Sequence, residues 1–158
     1  GWFERGVEAE LPSNSGRQRV NINGAVNIDT LEIEVDFTDS VNAESMKRLM
    51  DQLIKSNPNA KIIYMIMDNA SYCHSKEVDA YCRQLGKIKF LFLPTYSPNL
   101  NLIERVWKFF KKNVTYNKYY EKFLDFRDAC KNFFNNFNYF KAALRKLLNE
   151  KFHIPKNA

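Results

Sequence analysis

The stretch Lys61-Ile62-Ile63-Tyr64-Met65-Ile66-Met67-Asp68 is apolar from Ile62 to Met67 and stops on a carboxylate. A short apolar run without polar alternation is the pattern of a strand buried on both faces. A second such run, Ile88 to Leu93, is closed by Pro94. Between them, Ser75 to Leu85 sets Val78, Tyr81, Cys82 and Leu85 at helical spacing. Upstream, residues 18–27 and 30–37 alternate apolar and polar side chains around the turn-forming Asn27-Ile28-Asp29-Thr30, which predicts an antiparallel hairpin with one buried face. From Asn42 to about Lys55, Met46, Leu49, Met50, Leu53 and Ile54 recur at steps of three and four, the mark of an amphipathic helix.

Downstream of Pro94, the segment Thr95-Tyr96-Ser97-Pro98-Asn99 reads as a loop. It leads into a helix from about Leu102 to Val114 with a core stripe of Ile103, Val106, Trp107, Phe110 and Val114. An apolar repeat then runs through Phe123, Phe126, Cys130, Phe133, Phe137, Phe140, Leu144 and Leu147. It predicts a long helix or helical hairpin with a break near Asn132, Asn135, Asn136 and Asn138, since asparagine is a poor helix former. That repeat fits either an internal core or the seam of a homodimer. The fold class expected is a mixed α/β domain, with residues 1–115 as its body and 116–158 as a helical extension packed on it.

Composition narrows the function. In 158 residues, 45% are hydrophobic and 15% aromatic, ample for a core. There is no apolar run of membrane-spanning length and no signal-peptide pattern at the start, so no membrane partner is expected and the chain reads as soluble and cytoplasmic, at the nucleoid if bacterial. Cys73, Cys82 and Cys130 are an odd number without a C-x-x-C pair and are expected to be reduced and structural. The net charge of +6 is unevenly spread. Residues 1–104 hold 11 Lys and Arg against 14 Asp and Glu, whereas residues 105–158 hold 13 against 4. Such asymmetry suggests an acidic site beside a polyanion-facing surface, although a solvated basic helix face gives the same count.

Two carboxylates stand out. Asp68 follows a strand, and strand ends of α/β sheets are where ligands are usually met; as a plain turn or cap residue it would be equally at home. Glu104 closes Asn101-Leu102-Ile103-Glu104, a helix-start pattern in which the fourth residue reaches back to the cap, so capping alone could explain it. Neither residue decides the matter singly.

Together they sit in two motifs: Met67-Asp68-Asn69-Ala70-Ser71-Tyr72-Cys73-His74, and Phe92-Leu93-Pro94-Thr95-Tyr96-Ser97-Pro98-Asn99-Leu100-Asn101-Leu102-Ile103-Glu104-Arg105-Val106-Trp107-Lys108. These motifs, with 35 residues between Asp68 and Glu104, resemble the IS630/Tc1/mariner superfamily of DDE transposases. Gly1-Trp2 through Gly6 and Arg19 through Asn27 are similar to the section of the family that precedes that site. The resemblance implies an RNase H-like mixed sheet flanked by helices. It also implies Mg²⁺ or Mn²⁺ as cofactor, DNA (transposon ends and target) as partner, and metal-dependent strand cleavage and transfer as activity. Asp68 and Glu104 would be the second and third catalytic, metal-binding acids. Asn69, His74 and Asn101 would support the acids or face DNA, and Tyr96 and Pro98 would shape the loop that aims Glu104.

Arg105, Lys108 and Lys112 fall at steps of three and four, a face suited to phosphates. The family's first aspartate, on its first central strand, has no counterpart before Gly1, and Asp29, Asp36 and Asp39 are weak substitutes. The chain alone is therefore expected to lack activity. A non-catalytic DNA-binding or oligomerising remnant is the alternative reading.

Overall fold

The computed structural model describes residues 18–68, 71–94 and 102–149. Its first element pair is the expected hairpin, β1 (Asn21–Val26) and β2 (Ile33–Thr38), antiparallel in the register Asn21↔Thr38 to Val26↔Ile33. The turn is wider than the alternation predicts. Asn27 Oδ1 accepts the amides of Asp29 and Thr30 at 2.9 and 3.0 Å, and Leu31 takes the left-handed region at φ 56° while its side chain is buried. Burial of that leucine in the core offsets a backbone conformation that costs a branched residue roughly 1–2 kcal/mol.

Helix α1 (Ala43–Ser56) starts at Asn42 because two local bonds are reciprocal: Asn42 Oδ1 accepts the Ser45 amide at 3.0 Å, and Ser45 Oγ accepts the Asn42 amide at 2.9 Å. Its buried face carries Met46, Leu49 and Met50. Arg48 fastens the helix to β2 through Asp36, at 2.8 Å, and Thr38, at 2.9 Å.

Strands β3 (Ile63–Met67) and β4 (Ile88–Phe92) pair in parallel, Ile63↔Ile88 to Met67↔Phe92, joined through a 3₁₀ turn at Ser71–His74 and helix α2 (Lys76–Leu85). Ser75 caps α2 by accepting the Val78 amide, and Gly86 ends it at φ 65°, a conformation that favours glycine. Among the described residues β1–β2 and β3–β4 are separate pairs rather than one sheet.

The expectation that β3 is buried on both faces is corrected. Met65 and Met67 are buried with Ile88 against α1 and α2, but Tyr64 and Ile66 on the opposite face are 58% and 47% exposed, and Leu91 on β4 is exposed beside them. An apolar run cannot distinguish one covered face from two. Coverage is decided by what packs on the sheet, and α1 and α2 cover a single face of this pair.

Helix α3 (Leu102–Val114) matches its predicted bounds. Val106, Phe110 and Val114 are buried, with Ile103 and Trp107 partly so. The C-terminal repeat folds as α4 (Phe123–Asn135), a 3₁₀ turn at Phe137–Phe140, and α5 (Lys141–Asn149). The break falls at Asn136, whose side-chain amide donates to the Asn132 carbonyl at 2.8 Å. The repeat is used inside the chain: Phe133, Phe134, Phe137 and Leu144 bury themselves with Phe110 of α3 and Leu31 of the hairpin.

Two cores result. One is aromatic and joins α3, α4 and α5 to one face of the hairpin. The other is rich in sulfur, with Met46, Met50, Met65, Met67, Cys73 and Cys82, and joins α1 and α2 to the β3–β4 pair. The architecture is mixed α/β, as the sequence predicts.

Candidate functional site

Asp68 leaves the C-terminal end of β3 and is exposed. The strand end is fixed by β4, because the Leu93 amide donates to the Met67 carbonyl at 2.8 Å. Directly after it, the 3₁₀ turn buries Cys73 and lays the His74 ring on Phe92, with ring centroids 4.2 Å apart and an interplanar angle of 26°. Phe92 is the register partner of Met67, so this stack brings His74 to the strand end that carries Asp68. The nearness of His74 to Asp68 follows from their shared motif, whereas the stack on Phe92 is one the sequence could not reveal, since it needs the parallel pairing of β3 with β4.

Glu104 lies in the first turn of α3 and is exposed. A carboxylate there faces the positive end of the helix dipole. The helix behind it is anchored by an intimate contact. A Cβ added to Gly24 in β1 would meet the Glu34 carbonyl oxygen at 3.0 Å and Trp107 Cη2 at 3.1 Å, so the indole lies where only glycine leaves room. Trp107 also packs edge-on against Phe110 and Phe134. Both acids therefore project from regular elements that are themselves seated on buried side chains.

The other predicted site residues separate. Asn69 and Asn101, with Tyr96 and Pro98, lie outside the described residues. Arg105 is half-buried and its Nη1 donates to the Leu147 carbonyl at 3.5 Å, a long contact directed at α5. Lys108 and Lys112 are exposed. Of the substitute acids, Asp36 is engaged by Arg48, Asp29 occupies the hairpin turn, and Asp39 follows β2.

Burial pushes the Cys130 thiol up to about 11 and raises that of Cys82 as well, so neither is a thiolate nucleophile near neutrality. Among the described residues no grouping of three or more His, Cys, Asp and Glu could hold a metal ion. The exposed carboxylates of Asp68 and Glu104 are oxygen donors of the kind a hard divalent cation takes. No helix of the described residues is long and apolar enough to cross a membrane.

The described residues thus form a mixed α/β unit with Asp68 at a strand end and Glu104 in the first turn of a helix. Residues 1–127 match the DDE superfamily endonuclease family, and the chain belongs to that family. It is also similar to the insertion element IS630 uncharacterized 39 kDa protein of Shigella sonnei, 24% identical over 116 residues. That match takes in 73% of this chain but only 34% of the relative, so the chain spans about a third of the relative's length. Both findings agree with the IS630-type motifs around Asp68 and Glu104. Among solved structures, the catalytic core domain of BIV integrase is similar over 60% of each chain, at 20% identity and a TM-score of 0.47.

Proposed function

We propose that Asp68 and Glu104 are two of the carboxylates of a metal-dependent, DDE-type DNA-cleaving and strand-transferring centre, built on an RNase H-like sheet and serving DNA transposition. The observation that carries this reading is their placement inside the family match: one acid at the C-terminal end of a parallel strand pair, the other in the first turn of the helix locked to β1 by Trp107. The two residues would hold Mg²⁺ or Mn²⁺, which when bound supplies activation of a water or 3′-hydroxyl and charge stabilisation on the phosphate.

The chain's own groups then have distinct tasks. Asp68 and Glu104 bring negative charge and oxygen donors from the end of a strand and the first turn of a helix. Lys108 and Lys112, exposed on α3, neutralise DNA phosphates beyond the acids, and Arg105 shares that face while also tying α3 to α5. His74, held flat on Phe92, faces the substrate from the strand end, and Asn69 and Asn101 act beside the acids they neighbour in sequence. Residues 116–158 serve as an extension that stiffens α3 from behind, consistent with Phe133 and Phe134 packing on Phe110. Transposon ends and target DNA would be the substrates inside the cell.

Convergence of the two acids can be tested without activity. Fe²⁺ replaces Mg²⁺ at oxygen-ligand sites and, with ascorbate and peroxide, cuts the backbone nearby. Cuts beside both Asp68 and Glu104, both lost in Asp68→Asn, are expected. Cuts beside one acid alone, or unchanged cutting in the variant, would refute a shared site.

A further inference from the structure

The link between α3 and α4, residues 115–122, is short and strongly pinned. The amides of Thr115 and Tyr116 both donate to the Lys111 carbonyl at 2.9 Å, and Thr115 Oγ1 donates to the same oxygen at 2.8 Å. Lys118 Nζ donates to the Asn113 carbonyl at 2.5 Å, and Tyr120 Oη donates to the Val114 carbonyl at 2.6 Å. Asn117 reverses the chain at φ 55°, a conformation asparagine tolerates better than most residues. The ring of Tyr120 closes the loop against Phe126 at 5.4 Å.

Against this fixed frame, Tyr116 and Tyr119 point their rings outward, 53% and 63% exposed. Their surroundings are cationic: residues 105–122 contain Arg105 and five lysines, Lys108, Lys111, Lys112, Lys118 and Lys122, against the single acid Glu121. Exposed aromatic rings on a pinned loop lose little conformational entropy when a planar group stacks on them. Lysines interleaved with such rings match a backbone of phosphates carrying unpaired bases, the recognition chemistry of single strands. A duplex keeps its bases stacked on one another and offers the rings no faces. The loop follows the last turn of the helix whose first turn carries Glu104, about 18 Å further along the axis at 1.5 Å per residue. Lys108 and Lys112 lie between them on that helix. The loop is thus outside the acidic site but in line with it.

We infer that residues 115–122 form a single-stranded DNA contact, in which Tyr116 and Tyr119 stack unpaired bases and the flanking lysines hold the phosphates. The choice of DNA as the nucleic acid rests on the proposed function; the stacking geometry does not.

The test is fluorescence anisotropy of the 158-residue chain with a labelled DNA strand of about a dozen nucleotides, and with its duplex, in EDTA. Replacing both tyrosines by alanine is expected to weaken single-strand binding by about tenfold or more while duplex binding changes less than about threefold, and the double phenylalanine variant keeps the wild-type affinity. A single-strand loss below about threefold, an equal loss for duplex, or a phenylalanine variant as weak as alanine would overturn the inference. Should the alanine variant not fold, photocrosslinking of the wild-type chain to a strand bearing 5-iodouracil decides: adducts at Tyr116 or Tyr119 support the contact, and adducts only elsewhere overturn it. Because EDTA removes any metal, failure here leaves the Fe²⁺ mapping of Asp68 and Glu104 untouched, and failure of that mapping leaves this measurement standing.

Discussion

The hairpin β1–β2, which alternates apolar and polar residues, and the parallel pair β3–β4, which is almost continuously apolar, are buried in different ways. The hairpin lies between layers, with Ala25 toward the sulfur-rich core and Ile22, Val26, Ile33, Val35 and Phe37 toward the aromatic one. The parallel pair is covered on one face, and it carries Asp68 at its end. The two acids thus stand on differently packed elements. The aromatic core holds Glu104's helix by rigid ring packing, while the strand that delivers Asp68 rests on methionine and cysteine, side chains that adapt their shape readily.

The largest expected effect comes from breaking the aromatic side. Phe133 contacts the rings of Phe109, Phe110, Phe134, Phe137 and Phe140. Phe133→Ala should lower the unfolding free energy by about 3–5 kcal/mol, measured by urea denaturation, because a buried ring leaves a cavity its neighbours cannot fill. A loss below about 1 kcal/mol would mean that the α4 repeat is not the internal core described above.

A much smaller effect is expected on the open face of the parallel pair. Ile66→Thr keeps β-branching on an exposed position and should change stability by no more than about 0.5 kcal/mol. A strand enclosed on both faces would instead lose about 1–3 kcal/mol on gaining a buried, unpaired hydroxyl. The same denaturation experiment therefore separates one-sided from two-sided burial.

That contrast also marks what the sequence could disclose. Helix bounds were legible where caps and periodicity agree, as at Asn42, Ser75 and the Leu102–Val114 stripe. The break at Asn136 was legible from its cluster of asparagines. The one-sided burial of Tyr64 and Ile66 was not, because it depends on which distant elements cover the strand. In the candidate site, the placement of Asp68 after a strand and of Glu104 at a helix start was legible from the sequence. The His74–Phe92 stack and the turning of Arg105 toward Leu147 were not, since each joins residues that chain spacing alone does not bring together. Asn69 and Asn101 lie outside the described residues.

The smallest effect lies on the surface between α1 and α2. Lys47 donates to Glu77 and, at 3.0 Å, to Glu44. The hydrogen bond from Lys47, then its charge, holds the Glu77 carboxyl below its usual 4.5, while the bonds to Glu77 and Glu44 raise Lys47 above 10.5. A depressed acid stabilises the fold above its unfolded value and loses that contribution as pH falls through the folded one. A raised lysine contributes below its unfolded value and loses it as pH rises through the folded one. Glu77→Gln should accordingly melt slightly below wild type between these limits, with the difference closing on the acidic side of 4.5. A difference that persists unchanged into acid would assign the effect to packing instead.

The central claim, that Asp68 and Glu104 serve one metal site despite standing on separately cored elements, is tested most directly by Mn²⁺ titration followed by electron paramagnetic resonance. Wild type, Asp68→Ala, Glu104→Ala and the double variant would be compared. Each single variant should weaken binding by about tenfold or more, and the double variant should lose little beyond either single one, the non-additivity of residues that share a ligand. Independent, additive losses, or singles that bind as wild type does, would contradict it.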